Sequence, residues 1–136
     1  MAIQDTPHAR IILFGEAERG DFYQGHFCRS LGQLLETYGN PPPLSRGLFY
    51  GIQALMYEFE LLFFRVKEEG YSYQDYFRGL KLLEQPGITN QTSAVCIPGV
   101  GDSTIMNAIR PICIKHHCIL IFNEADLYDY LTAKAM

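Results

Sequence analysis

Four short stretches of this 136-residue chain are apolar at nearly every position: Arg10–Phe14, Glu60–Val66, Ala94–Ile97 and Cys118–Phe122. A strand with one wet face alternates apolar and polar residues. A continuous run belongs to a strand covered on both faces, as in a parallel sheet between helices. Between these runs the apolar positions recur at helical spacing. Ser30 leads Leu31, Leu34, Leu35 and Tyr38, with Gln33 placed for a capping box, and Gly39 with Pro41 to Pro43 ends the helix. A second helix is predicted from Ser45, carrying Leu48, Ile52, Leu55 and Met56. Ser72, followed by Asp75, caps a third with Tyr76, Leu80 and Leu83, closed by Gln85–Gly87. Asp102 or Ser103 caps a fourth with Ile105, Ala108, Ile109 and Ile112, and Pro111 inside it predicts a kink or a break. Asn123 caps the last, with Glu124 and Asp126 in the first turn and Leu127, Tyr130 and Leu131 on its apolar side.

Strands that alternate with helical connections imply right-handed crossovers. The expectation is an α/β, Rossmann-like three-layer fold in a single domain over residues 1–136. Its open, mainly parallel sheet would have about four strands, with helices on both faces.

The composition, 48% hydrophobic and 19% charged, is that of a chain able to bury a core. A net charge of -4 gives no general attraction to nucleic acid or an anionic membrane surface, so neither is an expected partner. No apolar run is long enough to cross a bilayer. Met1 to Pro7 has no cationic stretch leading into an apolar one, so no secretory leader is expected and a cytoplasmic location is. The four cysteines fall on or beside core elements, which suits reduced thiols. In that compartment the sequon Asn90–Thr92 would go unused.

In an open parallel sheet, ligands bind beyond the carboxyl ends of the strands. The segments there are Gly15–Asp21, Lys67–Gly70, Pro98–Thr104 and Asn123–Asp126, and each carries carboxylates. Glu16, Glu69, Asp102 and Glu124 are therefore candidate Mg²⁺ ligands, with Arg19 or Lys67 available to balance a phosphate. The bland alternative is that these groups cap helices or sit in solvent, which Asp102 and Asp126 fit without any ligand. Gly15, Glu16, Gly99, Gly101, Ser103 and Thr104 are candidate ligand contacts, because glycines admit close backbone approach and a helix's first turn offers amides and hydroxyls. For Gly99 and Gly101, in Pro98–Thr104, a tight strand-to-helix turn is at least as good an explanation. Asp102 would repel a phosphate at that helix start unless a metal intervened.

The segment Pro98–Thr104 loosely resembles the proline–glycine–glycine loop of the lysine-decarboxylase-like nucleotide hydrolases, over that loop alone. It lacks the paired glycines and the glutamate on the following helix, so their activity is not carried over. Cys113, His116, His117 and Cys118 have metal-ligand chemistry, but a helix-to-strand junction does not readily converge them on Zn²⁺. Cys96, in mid-strand, reads as packing rather than a nucleophile. Tyr71, Tyr73 and Tyr76, with Tyr128 and Tyr130, suggest either a partner surface or packed helix residues. The second helix is apolar around most of its circumference and is either sandwiched in the fold or a homodimer face.

Two functions are thus expected from different classes. One is binding of a nucleotide or other phosphorylated small molecule, with Mg²⁺, at the strand ends. The other is a non-enzymatic interaction or regulatory module acting as a homodimer. No catalytic constellation points to a reaction.

Overall fold

The computed structural model describes residues 9–89 and 92–135. Asn90 of the sequon lies outside them. The elements run β1 (Arg10–Gly15), β2 (Gly25–Cys28), α1 (Leu31–Tyr38), α2 (Gly47–Met56), β3 (Glu60–Arg65), α3 (Tyr73–Leu83), α4 (Pro86–Thr89), β4 (Thr92–Cys96), α5 (Ser103–Lys115), β5 (Ile119–Ile121) and α6 (Glu124–Ala135). The chain is α/β, and its five strands form one sheet in the order β2-β3-β1-β4-β5. Three pairings are parallel, and β2 alone runs antiparallel, against β3. The fifth strand corrects the expected count of about four.

The four continuous apolar runs are the four parallel strands. Their side chains alternate between two clusters, as the period of a strand requires. Ile11, Leu13, Leu61, Phe63, Ala94 and Cys96 join Leu34 and Tyr38 of α1, Leu48 and Ala54 of α2, and Leu127 and Leu131 of α6. Ile12, Phe14, Leu62, Phe64 and Val95 join Tyr76 and Leu80 of α3 and Ile105 and Ile109 of α5. Helices thus cover the sheet on both sides, which is why the strand sequences do not alternate.

The caps are mostly as expected. The Gln33 amide donates to Ser30 Oγ at 3.1 Å, and the Gln33 side chain accepts from the Arg29 amide at 2.7 Å. Asn123 Oδ1 accepts from the Asp126 amide at 2.8 Å. Three boundaries differ. The second helix begins after Arg46, because Ser45 Oγ donates to the Pro42 carbonyl instead of capping. Ser72 makes no side-chain cap; its hydroxyl is engaged with Glu68, and Asp75 turns back to accept from the Lys67 amide at 2.8 Å. Pro111 does not break α5, which runs from Ser103 to Lys115. Proline leaves the carbonyl four residues earlier without a donor. Here that residue is Asn107, exposed like Pro111 itself, so water can serve the freed group.

Of the two expected roles for α2, packing within the fold accounts for most of it. Leu48, Tyr50, Gly51, Ala54 and Leu55 are buried, leaving Phe49 at 52% and Met56 at 67% exposure. No helix among the described residues is long and apolar enough to cross a membrane.

Candidate functional site

The sheet order and the helix positions together locate a site. From the carboxyl end of β1 the chain runs through the edge strand β2 and then α1 and α2, in one cluster, and returns as β3 on one side. From the carboxyl end of β4 it passes through α5, in the other cluster, and returns as β5 on the opposite side. The two connections part between β1 and β4, and such a parting leaves a crevice at the strand ends. A crevice of about 590 Å³ opens there. Glu16 lines it after β1, Glu68, Glu69 and Tyr71 after β3, Gly99 after β4, and Phe122, Asn123 and Glu124 after β5. Leu44, Arg46 and Tyr50 close it from the start of α2.

Glu69 is the most tightly held side chain in the crevice. Its Oε2 accepts from the amides of Glu16 and Gly47, each at 2.8 Å, and its Oε1 accepts from the Arg46 amide at 2.8 Å. The Glu69 amide in turn donates to Glu16 Oε2 at 2.9 Å. The two glutamates therefore clasp the loops after β1 and β3, and Glu69 also caps α2, where Arg46 has no side-chain cap of its own. Burial raises the Glu69 carboxyl above its ordinary pKa, while the three amides pull it the other way. With N–H donors on both oxygens, the geometry fits the ionised form.

The glycines at this edge serve chain-to-chain approach. A Cβ on Gly15 would stand 2.7 Å from the Gly47 Cα, and one on Gly47 2.6 Å from the Gly15 Cα. Gly70, at φ +90°, presses on the Gly99 carbonyl, and Gly99 itself sits at φ +79°. Gly15 is thus occupied by Gly47, whereas Gly99 faces the crevice. Gly101 has no neighbour within 4 Å of a would-be Cβ and does not line the crevice, nor do Ser103 and Thr104 in the first turn of α5.

Asp102 also lies outside the crevice lining. Its Oδ1 accepts from the Thr104 amide and its Oδ2 from the Tyr73 hydroxyl, both at 2.7 Å. The Tyr73 bond and the Thr104 amide hold its carboxyl below the ordinary range. Its observed contacts are those of a helix cap. Of the four expected metal ligands, Glu16, Glu69 and Glu124 line one crevice and Asp102 does not. Among the described residues, no three His, Cys, Asp or Glu side chains gather as a group able to hold a metal ion.

Sequence reasoning missed Arg46, Tyr50, Tyr71 and Leu44 as crevice residues. Arg46 and Tyr50 belong to the start of α2, which the chain order separates from every strand end. Burial raises the Tyr50 phenol, with Arg46 opposing and Glu124 adding to the shift, so the three groups share one field. Tyr71 is 72% exposed and Leu44 wholly so, the latter held at φ +66°. Arg19 and Lys67, the expected phosphate partners, face elsewhere. Arg19 donates to the Glu36 and Leu35 carbonyls, and Lys67 lies over the rings of Phe22 and Tyr23.

The cysteines are packing residues. Cys28, Cys96 and Cys113 are buried, and burial pushes the Cys113 thiol up to about 12. Neither a protein-family model, nor a curated protein sequence, nor a solved structure matches this chain.

Proposed function

We propose that the chain is a Rossmann-like, three-layer domain that binds a small polar organic molecule in the crevice bounded by Glu16, Arg46, Tyr71 and Glu124. The observation that carries this reading is the coincidence of a crevice of about 590 Å³ with the point where the β1 and β4 connections part. The carboxyl edge at such a parting is where open α/β sheets usually hold small ligands, and the charged and polar groups that line this crevice suit a polar one. The lining supplies both kinds of contact. Tyr71, Leu44 and Phe122 offer apolar surface, while Glu124, Glu68 and the Arg46 guanidinium can orient hydroxyl or amide groups. Leu44, a bulky side chain held at positive φ on the rim, is the kind of local strain that functional sites retain.

Thermal unfolding against matched pairs of nucleosides and nucleotides, and of sugars and sugar phosphates, each with and without Mg²⁺, tests it. A ligand at 100 times its dissociation constant stabilises the fold by about 2.7 kcal/mol. The expected result is a saturable rise in Tm that Tyr71→Ala and Glu124→Gln diminish. A rise unchanged by both substitutions would place the ligand elsewhere and defeat the reading.

A homodimeric interaction module is the second reading. Its support is the exposed apolar side chains on and just before α2: Leu44, Phe49 at 52% and Met56 at 67% exposure. Sedimentation of the wild type against Phe49→Ser and Met56→Ser decides it, since a dimer through this face loses mass in the variants.

A further inference from the structure

Resting on the reading of the crevice as a ligand site, we propose that Glu69 is its specificity-determining residue. Its carboxylate fills the backbone anion site where β1 meets α2, so the crevice refuses phosphate and takes the unphosphorylated member of each nucleoside–nucleotide or sugar–sugar phosphate pair.

The amides that would hold a phosphate in a strand–loop–helix arrangement are those of the loop after the strand and of the helix's first turn. In this chain they are the amides of Glu16, Arg46 and Gly47, drawn from two segments that the Gly15–Gly47 contact brings together. All three point at one group, and that group is the Glu69 carboxylate, at 2.8 Å in each case. A ligand phosphate would need the same donors. The Glu69 main chain is held as well, its amide donating to Glu16 Oε2 at 2.9 Å, so the carboxylate is presented to the three amides from a fixed backbone.

The neighbouring helix starts repeat the arrangement. Asp102 takes the Thr104 amide at the start of α5, and Asn123 takes the Asp126 amide at the start of α6, beside Glu124. At the starts of α2, α5 and α6, first-turn amides along the carboxyl edge are thus taken by the protein's own side chains. Besides Glu69, the crevice presents Arg46 among the carboxylates of Glu16, Glu68 and Glu124, with Tyr71 beside them; Glu16 Oε2 already accepts from the Glu69 amide, and Glu124 Oε2 from Gln53 Nε2 at 2.8 Å. A dianionic phosphate would meet like charge there, whereas hydroxyl and amine groups find acceptors.

The test uses inorganic phosphate and formate, titrated into the wild type, Glu69→Ala and Glu69→Gln, with chloride matching the ionic strength. Tm and the phosphorus-31 linewidth are read. The wild type and Glu69→Gln, whose amide still fills the space, are expected not to respond. Glu69→Ala is expected to melt lower in chloride, to regain Tm saturably with either oxyanion, and to broaden the phosphate signal. If Glu69→Ala does not fold in chloride, its refolding in phosphate or formate takes the place of the titration. Recovery supports the proposal, and no recovery in either anion overturns it.

Saturable phosphate binding by the wild type, or a folded Glu69→Ala indifferent to both anions, also overturns it. The two ideas fail separately. Wild-type phosphate binding that disappears in Arg46→Ala ends the role of Glu69 and keeps the crevice as a site. Anion rescue of Glu69→Ala, with no response of the wild type to any unphosphorylated partner, ends the ligand reading and the specificity built on it.

Discussion

At Gly15 the space available for a side chain ends 2.7 Å from another backbone atom, the Cα of Gly47. A methyl group there cannot be absorbed by rotating a side chain, because the obstacle is main chain on the first turn of α2. Gly15→Ala is therefore expected to lose about 1–3 kcal/mol, the usual cost of overpacking. Gly101→Ala, open within 4 Å, should stay within about 0.5 kcal/mol of wild type. Urea midpoints of the two variants check both. Equal midpoints would show that β1 and α2 can move apart freely. Asp102 makes a second case at this scale. As a cap, its change to Ala should lower stability and its change to Asn should do so much less, since Asn keeps an acceptor. Neither change should alter a ligand-induced rise in Tm, whereas a metal ligand would lose that rise in both. The sequence offered Gly15 as a ligand contact, and Asp102 as a metal ligand with a helix cap as the alternative. Gly47 lies far along the chain from Gly15, so nothing local could show that contact. The cap at Asp102 takes the amide of Thr104, close by in the chain, and was legible for that reason.

β1, β3 and β4 were legible as elements because they are buried on both faces and so write unbroken apolar runs, and β5 was legible because its run is apolar even though Ile119 on this edge strand is 51% exposed. β2 was not legible. Gly25, His26 and Phe27 are partly or largely exposed, and only Cys28 is buried, so four residues on an antiparallel edge leave no pattern. The edge position also predicts its behaviour. β2 has one neighbour, and β1, at the centre, is hydrogen-bonded to β3 and β4. Native-state hydrogen exchange should find the amides of β1 protected close to the global unfolding free energy, and those of Gly25–Cys28 opening at far lower cost. Protection of β2 equal to that of β1 would mean that the edge is covered by something not visible in this chain alone. The crevice divides in the same way. Its members that follow strands, Glu16, Glu69, Gly99 and Glu124, were named from order alone. Arg46 and Tyr50, which lie before or on a helix, enter only because α2 packs its first turn against the end of β1.

Across the whole molecule, the two ends of the sheet are held by different chemistry. The carboxyl end depends on amides gathered around Glu69. The amino end depends on an ion cluster in which Glu60, at the start of β3, accepts from Arg10 Nε at 2.7 Å and from Arg29 Nε at 2.8 Å. Arg10 begins β1 and also donates to the Gly87 and Ile88 carbonyls of α4, so this cluster ties two adjacent strands to the connection between β3 and β4. Burial by itself would raise the Glu60 carboxyl, but the two arginines outweigh it and hold the pKa below the ordinary value of 4.5. A carboxyl whose folded pKa is depressed binds protons more readily when unfolded, so stability falls as pH drops. Its contribution is complete above about 4.5 and disappears as pH falls through the folded value. Glu60→Gln should therefore be less stable than wild type at neutral pH, and the gap should narrow as the solution is acidified below 4.5. Urea unfolding of wild type and Glu60→Gln between neutral and acidic pH checks this. A gap between wild type and Glu60→Gln that persists unchanged into acid would show that the hydrogen-bonding shape of Glu60, rather than its charge, holds the amino end together.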